Sequence, residues 1–101
     1  MSIEYRVPAY RGGAFIAFHG GSGPDLPGGH AGYNVVFVPF DAADKPGAWQ
    51  VFADGFAGPS PDDRNVSRAR FRPIGLTVDP GGALYVVDSE KGRLWRIAYS
   101  R

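Results

Sequence analysis

Three observations predict an all-β chain of antiparallel hairpins. The 101 residues include 15 Gly and 9 Pro spread along the chain instead of gathered in one tract, which marks turns at short intervals. Short runs of aromatic and β-branched residues recur between those turn formers, and no window sustains an apolar period of 3.6 residues. One phrase is also written twice: GGAFIAFHG at 12–20 returns as GGALYVVDS at 81–89, 69 residues later.

The elements follow in order. AFIAF (14–18) is a short apolar run, and YNVVFVPF (33–40) is a longer one rich in aromatic and β-branched residues. WQVFA (49–53) is followed by DGFAGPSPDD, dense in turn formers. After a polar, Arg-containing stretch (64–72) come IGLTVD (74–79), ALYVVD (83–88) and RLWRIAY (93–99). DPGG (79–82) and SEKG (89–92) are short enough for tight hairpins between them. The prediction is six strands and no substantial helix.

Each copy of the repeated phrase leads into a Gly-led strand, GYNVVFVPF (32–40) or GRLWRIAYS (92–100), so each unit reads as a hairpin. The first carries the loop HGGSGPDLPGGHAG (19–32) where the second has only DSEKG (88–92). Loops elaborated on a constant scaffold tend to be where ligands bind. Reading order gives strands two to four of one sheet and one to three of the next, a meander pattern typical of four-stranded β-propeller blades. The predicted organisation is therefore a partial propeller over 1–101. An incomplete blade spans 10–56 and lacks its opening strand, a connecting loop spans 57–72, and the last blade spans 73–99.

Composition limits the functional classes. A formal net charge of +1 offers no basic face for nucleic acid or an acidic membrane. The absence of Cys excludes a disulfide scaffold, a thiolate metal site and a Cys nucleophile. MSIEYRVPAYRGG lacks the basic start and apolar run of a signal peptide, and no apolar stretch approaches the roughly 18 residues of a membrane span. A chain of this length supports one small domain, or a piece of a larger one.

Taken together, YRGGAFIAFHG, GYNVVFVPF, WQVFADGFAG and RPIGLTVDPGGALYVVDSEKGRLWRIAY resemble the C-terminal blades of the glucose/sorbosone dehydrogenase family, soluble sugar dehydrogenases that use pyrroloquinoline quinone (PQQ). The resemblance runs from about Tyr10 to Tyr99. GLTVDPGGALYVVD alone occurs in many unrelated propellers, and the ordered set is what carries the signature. The resemblance implies a six-bladed propeller that binds PQQ, usually with calcium, and oxidises an aldose or related sugar by hydride transfer to the quinone. It also implies a periplasmic or secreted protein. Two blades fall short of that ring, so the expected reading is a C-terminal portion without activity of its own. In the alternative, three copies of two blades restore a six-bladed homo-oligomer.

PQQ carries three carboxylates and an ortho-quinone, so its site needs cations and a flat hydrophobic or guanidinium surface. SRARFRP (67–73) places Arg68, Arg70 and Arg72 at alternate positions, pointing one way if the segment is extended. Arg72, in the RPIG that matches the family's pattern, is the first candidate cofactor contact; the alternative is that all three are solvated loop arginines. Pro73 biases it toward extended backbone. His19, at the end of AFIAF, is the second candidate, against a purely structural hydrogen-bonding role. The family's loop commonly reads His-Gly-Ser-Trp-Asn-Arg and this one reads His19-Gly20-Gly21-Ser22-Gly23-Pro24, keeping only the His and Gly. The family's general base comes from an earlier blade, so no catalytic residue is assigned, and no metal ligand either.

Other features read as structure. GGSGPDLPGG lacks the GK[ST] and helix of a phosphate loop. Asp41, Asp44, Asp62 and Asp63 lack calcium-loop spacing and read, like Asp88 and Glu90, as turn residues. His30 reads as solvated, and Phe37, Trp49, Tyr85 and Trp95 as core between blades. Two other functions stay open: a non-catalytic β module that kept the scaffold, and a metal-dependent lactonase-like propeller supported only by the generic GLTVDPGGALYVVD phrase.

Overall fold

The computed structural model describes residues 12–98. Strands β1 (Gly13–Phe18), β2 (Asn34–Pro39) and β3 (Gln50–Ala53) form one antiparallel sheet in the order β1-β2-β3. Strands β4 (Pro73–Val78), β5 (Leu84–Asp88) and β6 (Leu94–Ile97) form a second in the order β4-β5-β6. A single 3-10 turn, Pro61–Asp63, is the only helical element among the described residues. The chain is all-β, built of two blade-like meanders that do not close on themselves. The residues just before VPAYRGG, where the first blade is expected to lack its opening strand, and Tyr99 at the end of the last blade lie outside the described residues.

Cross-strand pairs explain the registers. Phe15 lies opposite Phe37 with ring centroids 5.1 Å apart, Ile16 opposite Val36, and Val86 opposite Trp95. The β2–β3 register shifts between Val35, opposite Ala53, and Val36, opposite Val51, so Phe52 is the extra residue of a bulge. Its ring stands edge-on to Phe15 at 4.7 Å. The hairpin at DPGG closes through Asp79, whose N–H donates to the Ala83 carbonyl and whose carboxylate accepts from the Ala83 N–H, both at 3.0 Å.

The two sheets stack with Val35, Phe56, Leu84 and Val86 buried between them. Each fully buried aliphatic side chain contributes about 1.5–3 kcal/mol. The layers come closest along β1 and β4. Phe56 and Phe71 stand edge-on to Trp95 at 4.9 and 5.2 Å. From the echoed segments, Phe15 and Ala17 pack on the shared core from the first sheet, and Leu84 and Val86 lie in it from the second.

Two aromatic expectations are corrected. Trp49 is 59% exposed, because it precedes β3 and lies on the outer face beside Phe18, ring centroids 6.0 Å apart. Tyr85 faces outward and donates its hydroxyl to Asp79 Oδ2 at 2.9 Å. The expected alignment of three arginines also fails. Arg68 and Ala69 donate their N–H groups to the Asn65 carbonyl, which curls 65–69 into a turn instead of an extended run. Arg68 and Arg70 are therefore exposed, and Arg72 alone is buried.

Candidate functional site around Arg72 and His19

The two residues selected from the sequence, 53 positions apart, meet at the end where β1 finishes and β4 begins. Arg72 is 7% exposed. Its Nε donates to the His19 carbonyl at 3.2 Å and its Nη2 to the Gly20 carbonyl at 3.0 Å. The guanidinium carbon sits 5.2 Å from the centroid of the Tyr33 ring, a cation–π contact. His19 crosses the layers in its turn, with Nε2 2.6 Å from Ser89 Oγ. The strand ends are thus joined by the Arg72 side chain on the His19 and Gly20 carbonyls and by the side-chain pair of His19 and Ser89.

Tyr33 is the functional-site residue that sequence reasoning missed. It is fully buried, donates its hydroxyl to the Gly21 carbonyl at 2.7 Å, and has φ of 59°, in the left-handed region. For a bulky residue that backbone costs about 1–3 kcal/mol and persists only where the surroundings enforce it. Gly20, with φ of 112°, lies against the same ring: a Cβ there would sit 2.3 Å from a ring carbon. Tyr33 is held between Gly20 and Arg72.

Asp88 completes the group. Its Oδ1 accepts the Arg72 backbone N–H at 2.7 Å, its Oδ2 accepts the Lys91 N–H, and the Ser89 N–H returns to the Arg72 carbonyl at 3.0 Å. Burial pushes the Asp88 carboxyl up, but the N–H donors of Arg72, Lys91, Glu90 and Arg93 together outweigh it and hold the group below the ordinary carboxylate value. Asp79 is lowered in the same direction by the Ala83 N–H and the Tyr85 hydroxyl. A lowered folded value means stability that is fully present above the unfolded value, about 4, and is lost as pH falls through the folded one. Urea denaturation at a series of pH values is expected to show stability falling progressively below about pH 4. Asp88→Asn should be less stable at neutral pH and show a shallower acid slope; an unchanged slope would contradict the assigned role.

The elaborated loop 19–32 does not stand free. Gly28 donates its N–H to Asp62 Oδ1 at 2.6 Å, Arg64 Nη2 donates to the Gly28 carbonyl at 2.8 Å, and the Leu26 N–H reaches Asn65 Oδ1 at 3.2 Å. His30 is tied in as well, its Nε2 3.0 Å from the Pro24 carbonyl. The loop lies on the connecting segment, whose turn is closed by a capping box between Ser60 and Asp63.

Arg72 offers a flat cation, yet two of its donors serve carbonyls and one face serves Tyr33. His19 has committed Nε2 to Ser89. As arranged, neither presents the free paired donors that a carboxylate of PQQ would take. Among the described residues, no group of three or more His, Cys, Asp or Glu side chains is placed to hold a metal ion.

A family model described as TrAA12-like matches residues 2–100. No curated protein and no solved structure matches the chain.

Proposed function

This chain belongs to the TrAA12-like family, a sugar-dehydrogenase-related domain, and on that premise we propose that it forms the last two blades of a PQQ-dependent sugar dehydrogenase. In this reading the assembled enzyme is an exported protein acting on an aldose or related sugar, and PQQ, held by other blades, would supply the quinone that accepts hydride. The observation that supports the reading is the family match over residues 2–100, and within it His19 and Arg72 converge at one end of the stacked meanders. Their geometry does not by itself fit PQQ, so the cationic donors for its carboxylates belong to other blades. Arg72 and His19 act here on the shape of the wall, fixing the Gly20–Gly21 backbone and the Tyr33 ring beneath it.

The chain alone is expected to be inactive, because no base for a sugar hydroxyl is assigned among its residues. Purified chain supplied with PQQ, calcium and a panel of aldoses should reduce no redox dye. Sugar-dependent reduction would overturn the assignment of the base to other blades.

A second reading is favoured by one observation, that the Arg72 guanidinium is spent within the protein. It takes the chain as a non-catalytic β module that keeps the scaffold. Titration of the purified chain with PQQ, followed by tryptophan fluorescence, tests this second reading, which expects no saturable binding; saturable binding weakened by Arg72→Gln would overturn it.

A further inference from the structure

We propose that the turn-rich segment after β3 binds a small hydroxycarboxylate, with Arg64 taking the carboxylate and Asp54 the hydroxyl. The segment DGFAGPSP (54–61) folds around a pocket of about 160 Å³ walled by Tyr33, Ala57 and Pro59 and lined by Asp54, Ser60 and Arg64. Drug-sized sites occupy roughly 300–1,000 Å³, so this one suits a ligand of only a few heavy atoms. Neither Arg72 nor His19 lines it. It shares only Tyr33 with their assembly.

The observation that points to a ligand is the Arg64 side chain. Its Nη2 donates to the Gly28 carbonyl, but its Nε is buried and has no hydrogen-bond partner among the described residues. A buried donor left unmatched is costly, and an acceptor in the adjoining pocket relieves that cost. The single ion pair among the described residues joins Arg68 to Asp25, so no carboxylate neutralises Arg64. Its backbone is pinned on both sides: the N–H donates to the Pro61 carbonyl at 3.1 Å and the carbonyl accepts the His30 N–H at 2.6 Å. Pro59 and Pro61 fix the φ of their own residues, and the capping box between Ser60 and Asp63 closes the turn between them and Arg64. The cation is therefore held in place before a ligand arrives, which lowers the cost of binding.

The other groups narrow the chemistry. Asp54 is exposed, its Oδ1 accepts the Gly55 N–H at 2.8 Å, and its second oxygen has no donor among the described residues. Ser60 Oγ accepts the Asp62 N–H at 3.2 Å and keeps its proton to donate. The lining thus holds one cation, one anion and one hydroxyl. A dianion such as phosphate meets repulsion from Asp54, whereas a monoanionic carboxylate can take Arg64 and Ser60 at one end. The end facing Asp54 must donate a hydrogen. An ammonium carries three donors where Asp54 has one free oxygen, and a hydroxyl carries one, so the hydroxyl is the better match. This inference does not rest on the dehydrogenase reading, and its readout involves neither PQQ nor sugar oxidation.

Isothermal titration calorimetry on the purified chain tests it with lactate, propionate, alanine, glycerol and inorganic phosphate. Lactate should bind saturably at one site per chain, at least about tenfold more tightly than any of the others. Arg64→Gln should weaken lactate and propionate alike by at least about tenfold. Asp54→Asn should bring lactate down to the level of propionate without weakening propionate. Asp54 is exposed and holds only the N–H of its own neighbour, so this variant keeps the test decisive if Arg64→Gln loosens loop 19–32 and fails to fold. No saturable binding of lactate would overturn the site. Propionate or phosphate binding as tightly as lactate would leave a general anion site and overturn the hydroxyl contact; glycerol or alanine binding as tightly would overturn the carboxylate contact or the preference for hydroxyl over ammonium.

Discussion

Replacing Arg72 with alanine is expected to destabilise the fold by about 3–4 kcal/mol, since it strips the His19 and Gly20 carbonyls of buried donors at one stroke. The change also removes the plane that covers Tyr33, leaving a ring in strained backbone with an unfilled space beside it. Lysine should recover only part of the loss. It keeps the charge but cannot direct two in-plane donors at two carbonyls while lying flat over an aromatic face. Urea denaturation followed by far-ultraviolet circular dichroism measures all three proteins. A loss below about 1 kcal/mol for Arg72→Ala, the level of an ordinary surface change, would show that the cross-layer contact is not a structural element.

Substitution of Gly20 by alanine is expected to cost about 3 kcal/mol or more, from two causes that can be separated. A Cβ would lie 2.3 Å from the Tyr33 ring, and φ of 112° is in any case a glycine conformation. Gly23 has the similar φ of 117° but no atom within 4 Å of its would-be Cβ. Gly23→Ala therefore reports the backbone cost alone, and its difference from Gly20→Ala isolates the clash with the ring. Equal losses at the two sites would mean that Tyr33 can move aside, and that the ring is not held as the structure holds it.

Much of the fold is legible in the residues. AFIAF, NVVFVP and LYVVD carry their strands through β-branched and aromatic content, and DPGG and SEKG announce hairpins because Asp79 and Asp88 can cap their own turns. Arg72 and His19 are legible as a pair worth watching. What they bind is not, because their partners are backbone carbonyls, and a carbonyl has no letter in the sequence. Tyr33 was hidden by opening an apolar run, where an aromatic reads as core; the flanking Gly32 and the Gly20–Gly21 pair were the available signal of a close approach. Asp88 reads as a turn residue, and it is one, but its second oxygen oriented inward to the Arg72 N–H depends on contact between layers. The alternation of Arg68, Arg70 and Arg72 misled because periodicity assumes extension, and the Asn65 carbonyl curls that segment instead. Asn65 itself, within the sequence Asn-Val-Ser, is fully buried with its side-chain amide donating to the Asp62 carbonyl, so the side chain serves the turn and is closed to a glycan.

The cross-layer bonds also impose an order of events. His19 and Ser89 are 70 residues apart, and Arg72 reaches back 53 and 52 residues to His19 and Gly20, whereas Asp79 closes its hairpin over 4. Short closures lose little chain entropy and can form early, while the long ones wait until both meanders exist. Until that moment the inner faces carrying Val35, Leu84 and Val86 are open to other molecules, and refolding at low concentration is expected to raise the yield by making such encounters rarer.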